Sequence, residues 1–113
     1  MLQSLVGLIV YARDFDEALK FFREGLGAPL ALDSHGQIKA HYETMLGQTH
    51  LALFPGEPRL VPSFRVARLD VALAAVEERG IKVLLPPLDL GEGKRVAGVA
   101  GPDGAEIRLI EIP

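Results

Sequence analysis

The chain has 113 residues, the size of one domain, and its formal net charge of −3 lacks the clustered basic excess of a nucleic-acid binder. It contains no cysteine, which removes disulfides and thiolate metal sites, and although 49% of it is apolar no run approaches the ~18 residues of a membrane span. Met1-Leu2-Gln3-Ser4 has neither the basic start nor the apolar run of a secretory signal, so the expected location is cytoplasmic.

In chain order, Leu5 to Ala12 is an apolar, branched run that reads as a buried strand. Asp14, with Glu17 three residues on, is an acidic capping box. The helix it opens places Phe15, Ala18, Leu19, Phe22 and Leu26 on one face, and Gly25 and Gly27 end it. A short strand over 28–33 and a turn at Ser34-His35-Gly36 follow. Ile38 to Leu46 and Thr49 to Phe54 are strands joined by Gly47-Gln48, a two-residue hairpin signal. Pro55-Gly56-Glu57-Pro58 then breaks the pattern.

Beyond this break the pattern begins again. Val61 to Ala67 reads as a strand, and Leu69, Ala72, Leu73 and Val76 repeat the first helix face at a shift of 54, since 69 − 15 and 76 − 22 give the same number. Gly80 closes the helix. Ile81 to Leu85 reads as a strand ended by Pro86-Pro87, and Gly91-Glu92-Gly93-Lys94 as a hairpin connection without the spacing of a phosphate loop. Lys94 to Val99 and Ala105 to Ile112 form a last hairpin around Gly101-Pro102-Asp103-Gly104, read as a type I turn. The expected fold is α+β in a single domain over 1–113. It has two tandem β-α-β-β-β units, 1–56 and 61–113, with a linker at about 55–60 and mixed sheets curving around a cleft. Each helix covers one sheet face; the uncovered faces would enclose a place for a small ligand.

The stretches Leu8-Ile9-Val10-Tyr11-Ala12-Arg13-Asp14, Ala18-Leu19-Lys20-Phe21-Phe22 and Leu51-Ala52-Leu53-Phe54 carry a family resemblance. Leu69-Asp70-Val71-Ala72-Leu73, Gly80-Ile81-Lys82-Val83-Leu84 and the run from Pro102 to Leu109 extend it over nearly the whole chain. In this ordered series the sequence resembles the vicinal oxygen chelate superfamily of glyoxalases, extradiol dioxygenases and bleomycin-resistance proteins. The resemblance implies a metal ligand on the first and last strand of each unit, usually His or Gln on the first and Glu on the last. Those positions fall here on Gly7, Ala52, Val61 and Arg108. Three lack a donor and the fourth is a permanent cation, so the expectation is no metal at the inherited site and no cofactor. The resemblance also implies a homodimer, and leaves open whether the units pair within one chain or between two.

A two-residue turn at 47–48 sets Leu46 against Thr49, Met45 against His50, Glu43 against Ala52 and His41 against Phe54. By alternation His41, Glu43, Met45, His50, Ala52 and Phe54 share the cleft face, while Leu51 and Leu53 point to the helix. Ile9, Tyr11, Ser63, Arg65, Glu106, Arg108 and Ile110 face inward on the same reasoning. The ligand-binding candidates are therefore Tyr11, His41, Glu43, His50, Phe54, Arg65 and Arg108. His41, Glu43 and His50 read either as a displaced zinc or manganese site and acid–base group, or as solvated polar residues at the mouth of an open sheet. Arg65 and Arg108 read either as a clamp for a carboxylate or phosphate, or as neutralising partners of Glu43 and Glu106.

The leading expectation is a metal-free protein binding an anionic or apolar small molecule, with no nucleic-acid or membrane partner. The first alternative is a metal-dependent or acid–base enzyme of the lyase, isomerase or dioxygenase kind, centred on His41, Glu43 and His50. The second is a structural dimer module.

Overall fold

The computed structural model describes the backbone of residues 1–35 and 38–113, and the side chains of all of these except 35, 38 and 39. The first half runs β1 (Leu2–Ala12), α1 (Phe15–Lys20), β2 (Ala31–His35), β3 (Ile38–Leu46) and β4 (Thr49–Pro55). In the same order, the second runs β5 (Arg59–Val66), α2 (Leu69–Glu78), β6 (Val83–Gly91), β7 (Lys94–Ala100) and β8 (Glu106–Glu111). The expected α+β architecture of two β-α-β-β-β units is present, and its two sheets are one. The strands run β2-β3-β4-β1-β5-β8-β7-β6, with the first strands of the two halves hydrogen-bonded antiparallel at the centre. The cleft is therefore the concave side of a continuous sheet, and both units belong to one chain. Around the β1–β5 junction Gly7 pairs with Ser63 and Ile9 with Val61, a reciprocal register in which each residue pairs with the counterpart of the other, since the shift of 54 takes Gly7 to Val61 and Ile9 to Ser63 (61 − 7 = 63 − 9).

The helices lie on the convex side. Asp14 caps α1 by accepting from the Glu17 amide at 3.1 Å, as the capping box requires. Phe15, Ala18, Leu19 and Phe22 pack on buried Leu30, Leu51 and Leu53, but Leu26 does not: it is 63% exposed. The cause is a π-helical turn over Phe21–Gly25, in which the Leu26 amide reaches back five residues to the Phe21 carbonyl at 3.0 Å. One extra residue in the turn rotates Leu26 off the apolar face.

Helix α2 buries the expected Leu69, Ala72, Leu73 and Val76 against Val66, Ala97, Val99 and Leu109. No side chain at its own start caps it; the Glu111 carboxylate of β8 accepts from the Leu69 amide at 2.7 Å instead.

Several strand bounds differ from the sequence reading. Ala28 and Leu30 are buried core ahead of β2, which begins at Ala31. The turn read at 34–36 includes Gly36, which lies outside the described residues. Strand β6 does not end at Pro86-Pro87 but runs through them to Gly91, with register shifts on both sides. Proline is tolerated there because β6 is an edge strand. The 101–104 turn is not type I, since Asp103 has φ 57°.

Candidate functional site

The concave side holds two adjoining spaces. The inner one, about 80 Å³, is walled by Ile9, Ala52, Phe54, Leu90, Val96 and Ile110, with His41, His50, Ser63 and Arg108 among them. The outer one, about 770 Å³, shares His50, Ser63, Leu90 and Ile110 and opens past Gly7, Met45 and Lys94. Asp33 and Glu43 also line it.

One wall is built by the β3–β4 hairpin. The register Met45–His50 and Glu43–Ala52 follows from the Gly47-Gln48 turn, with Gly47 at φ 63° as a tight turn needs. His41 is 2% exposed and stacks on Phe54 at 4.3 Å between centroids, while Phe54 stacks on Tyr11 at 5.5 Å. Nε2 of His41 lies 3.2 Å from Oε1 of Glu43, and the other carboxyl oxygen, Oε2, is hydrogen-bonded to Nε2 of His50. Burial, then a hydrogen bond that the protonated carboxyl donates to Asp33 and the charge of Asp33, push Glu43 up to about 7; Lys94 opposes this. A carboxyl at that value exchanges its proton near neutrality, beside an imidazole that can receive it.

The other wall belongs to the second half. Arg108 is 7% exposed; its Nε donates to Glu106 at 2.5 Å and its Nη2 to the Tyr11 hydroxyl at 2.9 Å. Burial works against its charge, but Glu106 and Tyr11 more than offset this and hold the guanidinium protonated. Gly98 makes the pair possible, because a Cβ there would meet the Glu106 carboxylate at 2.5 Å. Arg59 lies over the Tyr11 ring at 3.7 Å and reaches Glu106 at 3.5 Å.

Of the seven ligand-binding candidates, His41, His50, Phe54 and Arg108 line the inner space and Glu43 lines the outer one. Tyr11 and Arg65 line neither. Tyr11 stands behind Arg108 as a hydrogen-bond acceptor. Arg65 does not clamp with Arg108: it is two residues further along β5 and donates to the Ile112 carbonyl at 3.1 Å. Nor does Arg108 neutralise Glu43; its carboxylate partner is Glu106 on its own strand. Asp33, Leu90 and Lys94 line the site without having been singled out. Asp33 pairs with His41 across the β2–β3 ladder, and Leu90 lies beyond Pro86-Pro87, in the part of β6 that the two prolines conceal in the sequence.

The four positions at which the resemblance puts metal ligands do not fit a cation. Gly7 has no side chain, and a Cβ there would stand 2.9 Å from the His50 carbonyl oxygen. Ala52 and Val61 are apolar and buried, and Arg108 is positive. Among the described residues no group of three or more His, Cys, Asp or Glu is arranged to hold a metal ion.

Residues 4–109 match the family described as Glyoxalase/Bleomycin resistance protein/Dioxygenase superfamily. No curated protein matches the chain. Among solved structures, a hypothetical protein from Bacillus halodurans superposes with a TM-score of 0.73 at 14% identity, covering 97% of this chain and 94% of that one. Methylmalonyl-CoA epimerase of Streptomyces coelicolor, in complex with 2-nitronate-propionyl-CoA, gives 0.71 at 19% identity with both chains fully covered. The Mycobacterium tuberculosis methylmalonyl-CoA epimerase gives 0.72 at 16%, covering 99% of this chain and 89% of that one. At such identities the likeness is one of fold.

Proposed function

The chain belongs to the glyoxalase/bleomycin resistance protein/dioxygenase superfamily, and from that premise we propose that it binds a small molecule on the concave side without a metal at the inherited positions. The observation that carries this reading is the donor set: Gly7, Ala52, Val61 and Arg108 stand where the fold's metal-using members place ligands, beside an open space walled mainly by apolar groups. Homodimerisation and a cytoplasmic location remain part of the proposal. Calorimetric titration with Zn²⁺, Mn²⁺, Ni²⁺ and Fe²⁺ is expected to give no stoichiometric binding. A stoichiometric site that disappears in His41→Ala or His50→Ala would overturn the reading.

A second reading is favoured by one observation, the Glu43 carboxyl raised to about 7 and hydrogen-bonded to His50. This pair can take a proton from a bound carbon or oxygen acid and return it, which is general acid–base catalysis without an electrophilic cation. The solved epimerases of the same fold act on methylmalonyl-CoA, so acids activated by a neighbouring carbonyl are the compounds to try first. Turnover that rises through about pH 7 and vanishes in Glu43→Gln would establish it.

A further inference from the structure

We propose that Arg108 is the anchor for the carboxylate of a short-chain organic acid, whose alkyl part fills the inner space and whose remainder, if any, extends into the outer one. The inference rests on the metal-free reading, and names the ligand class for that site.

A guanidinium has five N–H donors. Nε and one hydrogen of Nη2 are used on Glu106 and Tyr11, and Nη1 donates to no group among the described residues. Three donors of a planar fork remain on a side chain that lines the inner space. Such a fork matches the two oxygens of a carboxylate in geometry as well as charge.

The local charge also favours an anion. Arg108 and Arg59 share the single Glu106 carboxylate, so this cluster of two cations and one anion carries one net positive charge. Arg59 is further held over the Tyr11 ring, and Tyr11 accepts from Arg108, so the cation is fixed before any ligand arrives. On the neighbouring strand Ser63 is the register partner of Arg108 in the parallel β5–β8 ladder, and it lines the same space.

Volume and polarity select the rest of the ligand. About 80 Å³ admits only a few non-hydrogen atoms. The wall beside Arg108 is apolar, from Ile9, Ala52, Val96 and Ile110. A phosphate would leave oxygens buried there without donors, whereas a carboxylate on a short alkyl chain leaves none.

The test is a nuclear magnetic resonance titration of the whole chain with propanoate, at constant ionic strength and in excess EDTA, following the Arg108 Nε–H and Ser63 amide signals. Propanamide, equal in shape and uncharged, serves as control. Saturable shifts with propanoate are expected, with propanamide at least roughly tenfold weaker, the ratio expected for losing a charge-assisted hydrogen bond. Arg108→Gln should weaken propanoate by a similar factor. Because that change strands Glu106, Ser63→Ala is the second variant; it leaves every ion pair intact and should weaken binding several-fold. Equal binding of acid and amide would overturn the proposal, as would propanoate binding unchanged in Ser63→Ala and Arg108→Gln. Absence of saturable shifts, with metal titration also silent, overturns this inference and leaves the metal-free reading standing. Propanoate shifts that require added Zn²⁺ would sink both.

Discussion

The two halves share an order of elements and differ in what they bury. Among the described residues, the second half buries eight apolar side chains in one cluster, four of them from α2. The first buries four, and α1 contributes none that is fully covered. On the concave side the order reverses. The first half presents the groups whose protonation can change, His41, Glu43 and His50, and the second a permanent cation locked by Glu106 and Tyr11. The better-packed half thus holds the fixed charge, and the thinner one holds the adjustable charges. Rigid positioning suits an anchor, while proton exchange tolerates local movement.

The largest effect expected from breaking this contrast is in the second core. Leu69 is 0% exposed, and Leu69→Ala should cost about 2–5 kcal/mol, against about 1 kcal/mol for Leu19→Ala on the half-buried face of α1. Urea unfolding of the two variants measures this; equal costs would remove the asymmetry.

Next in size is the pH response of the first half. The folded state raises the Glu43 carboxyl from 4.5 to about 7, so it favours the protonated form. Its contribution to stability is fully present below pH 4.5 and is lost as pH rises through about 7. Relative to Glu43→Gln, the wild type should therefore lose up to about 3 kcal/mol across that window. Parallel stability–pH curves for the two proteins would contradict the assignment.

The smallest effect sharpens the comparison at equivalent positions. Gly7 and Val61 stand at the shift of 54, one without a side chain and one wholly buried. Gly7→His offers an imidazole where the superfamily's metal users have a ligand, yet its Cβ would press on the β4 backbone at His50. A loss of about 1–3 kcal/mol is expected, with no gain in Zn²⁺ affinity. Thermal unfolding with and without Zn²⁺ checks both parts.

Helical and strand periodicity made much of this legible from residues alone. The face Leu69, Ala72, Leu73 and Val76 and the 47–48 hairpin register emerged as read, because each depends on local spacing. Leu26 did not, since a π-turn is decided by packing and leaves no mark in apolar spacing. The strand after α2 was cut short because two prolines normally end a strand, and only its place at the sheet edge permits them. In the site, alternation placed His41, Glu43, His50 and Arg108 on the concave face. It could not show that Arg65 turns to the Ile112 carbonyl, nor that Asp33 reaches Glu43, since both depend on contacts distant in sequence.

The prolines of β6 have a consequence for how molecules of this protein meet. An outermost strand offers free backbone donors and acceptors to any extended chain that drifts alongside. Pro86 and Pro87 supply no amide hydrogen, and the ladder beside them is already out of step. A neighbour seeking to prolong the sheet from this side would meet a missing donor and a template that is out of register. Open-ended stacking of copies along this border is thereby discouraged, and whatever contacts the molecule makes there must be formed by side chains.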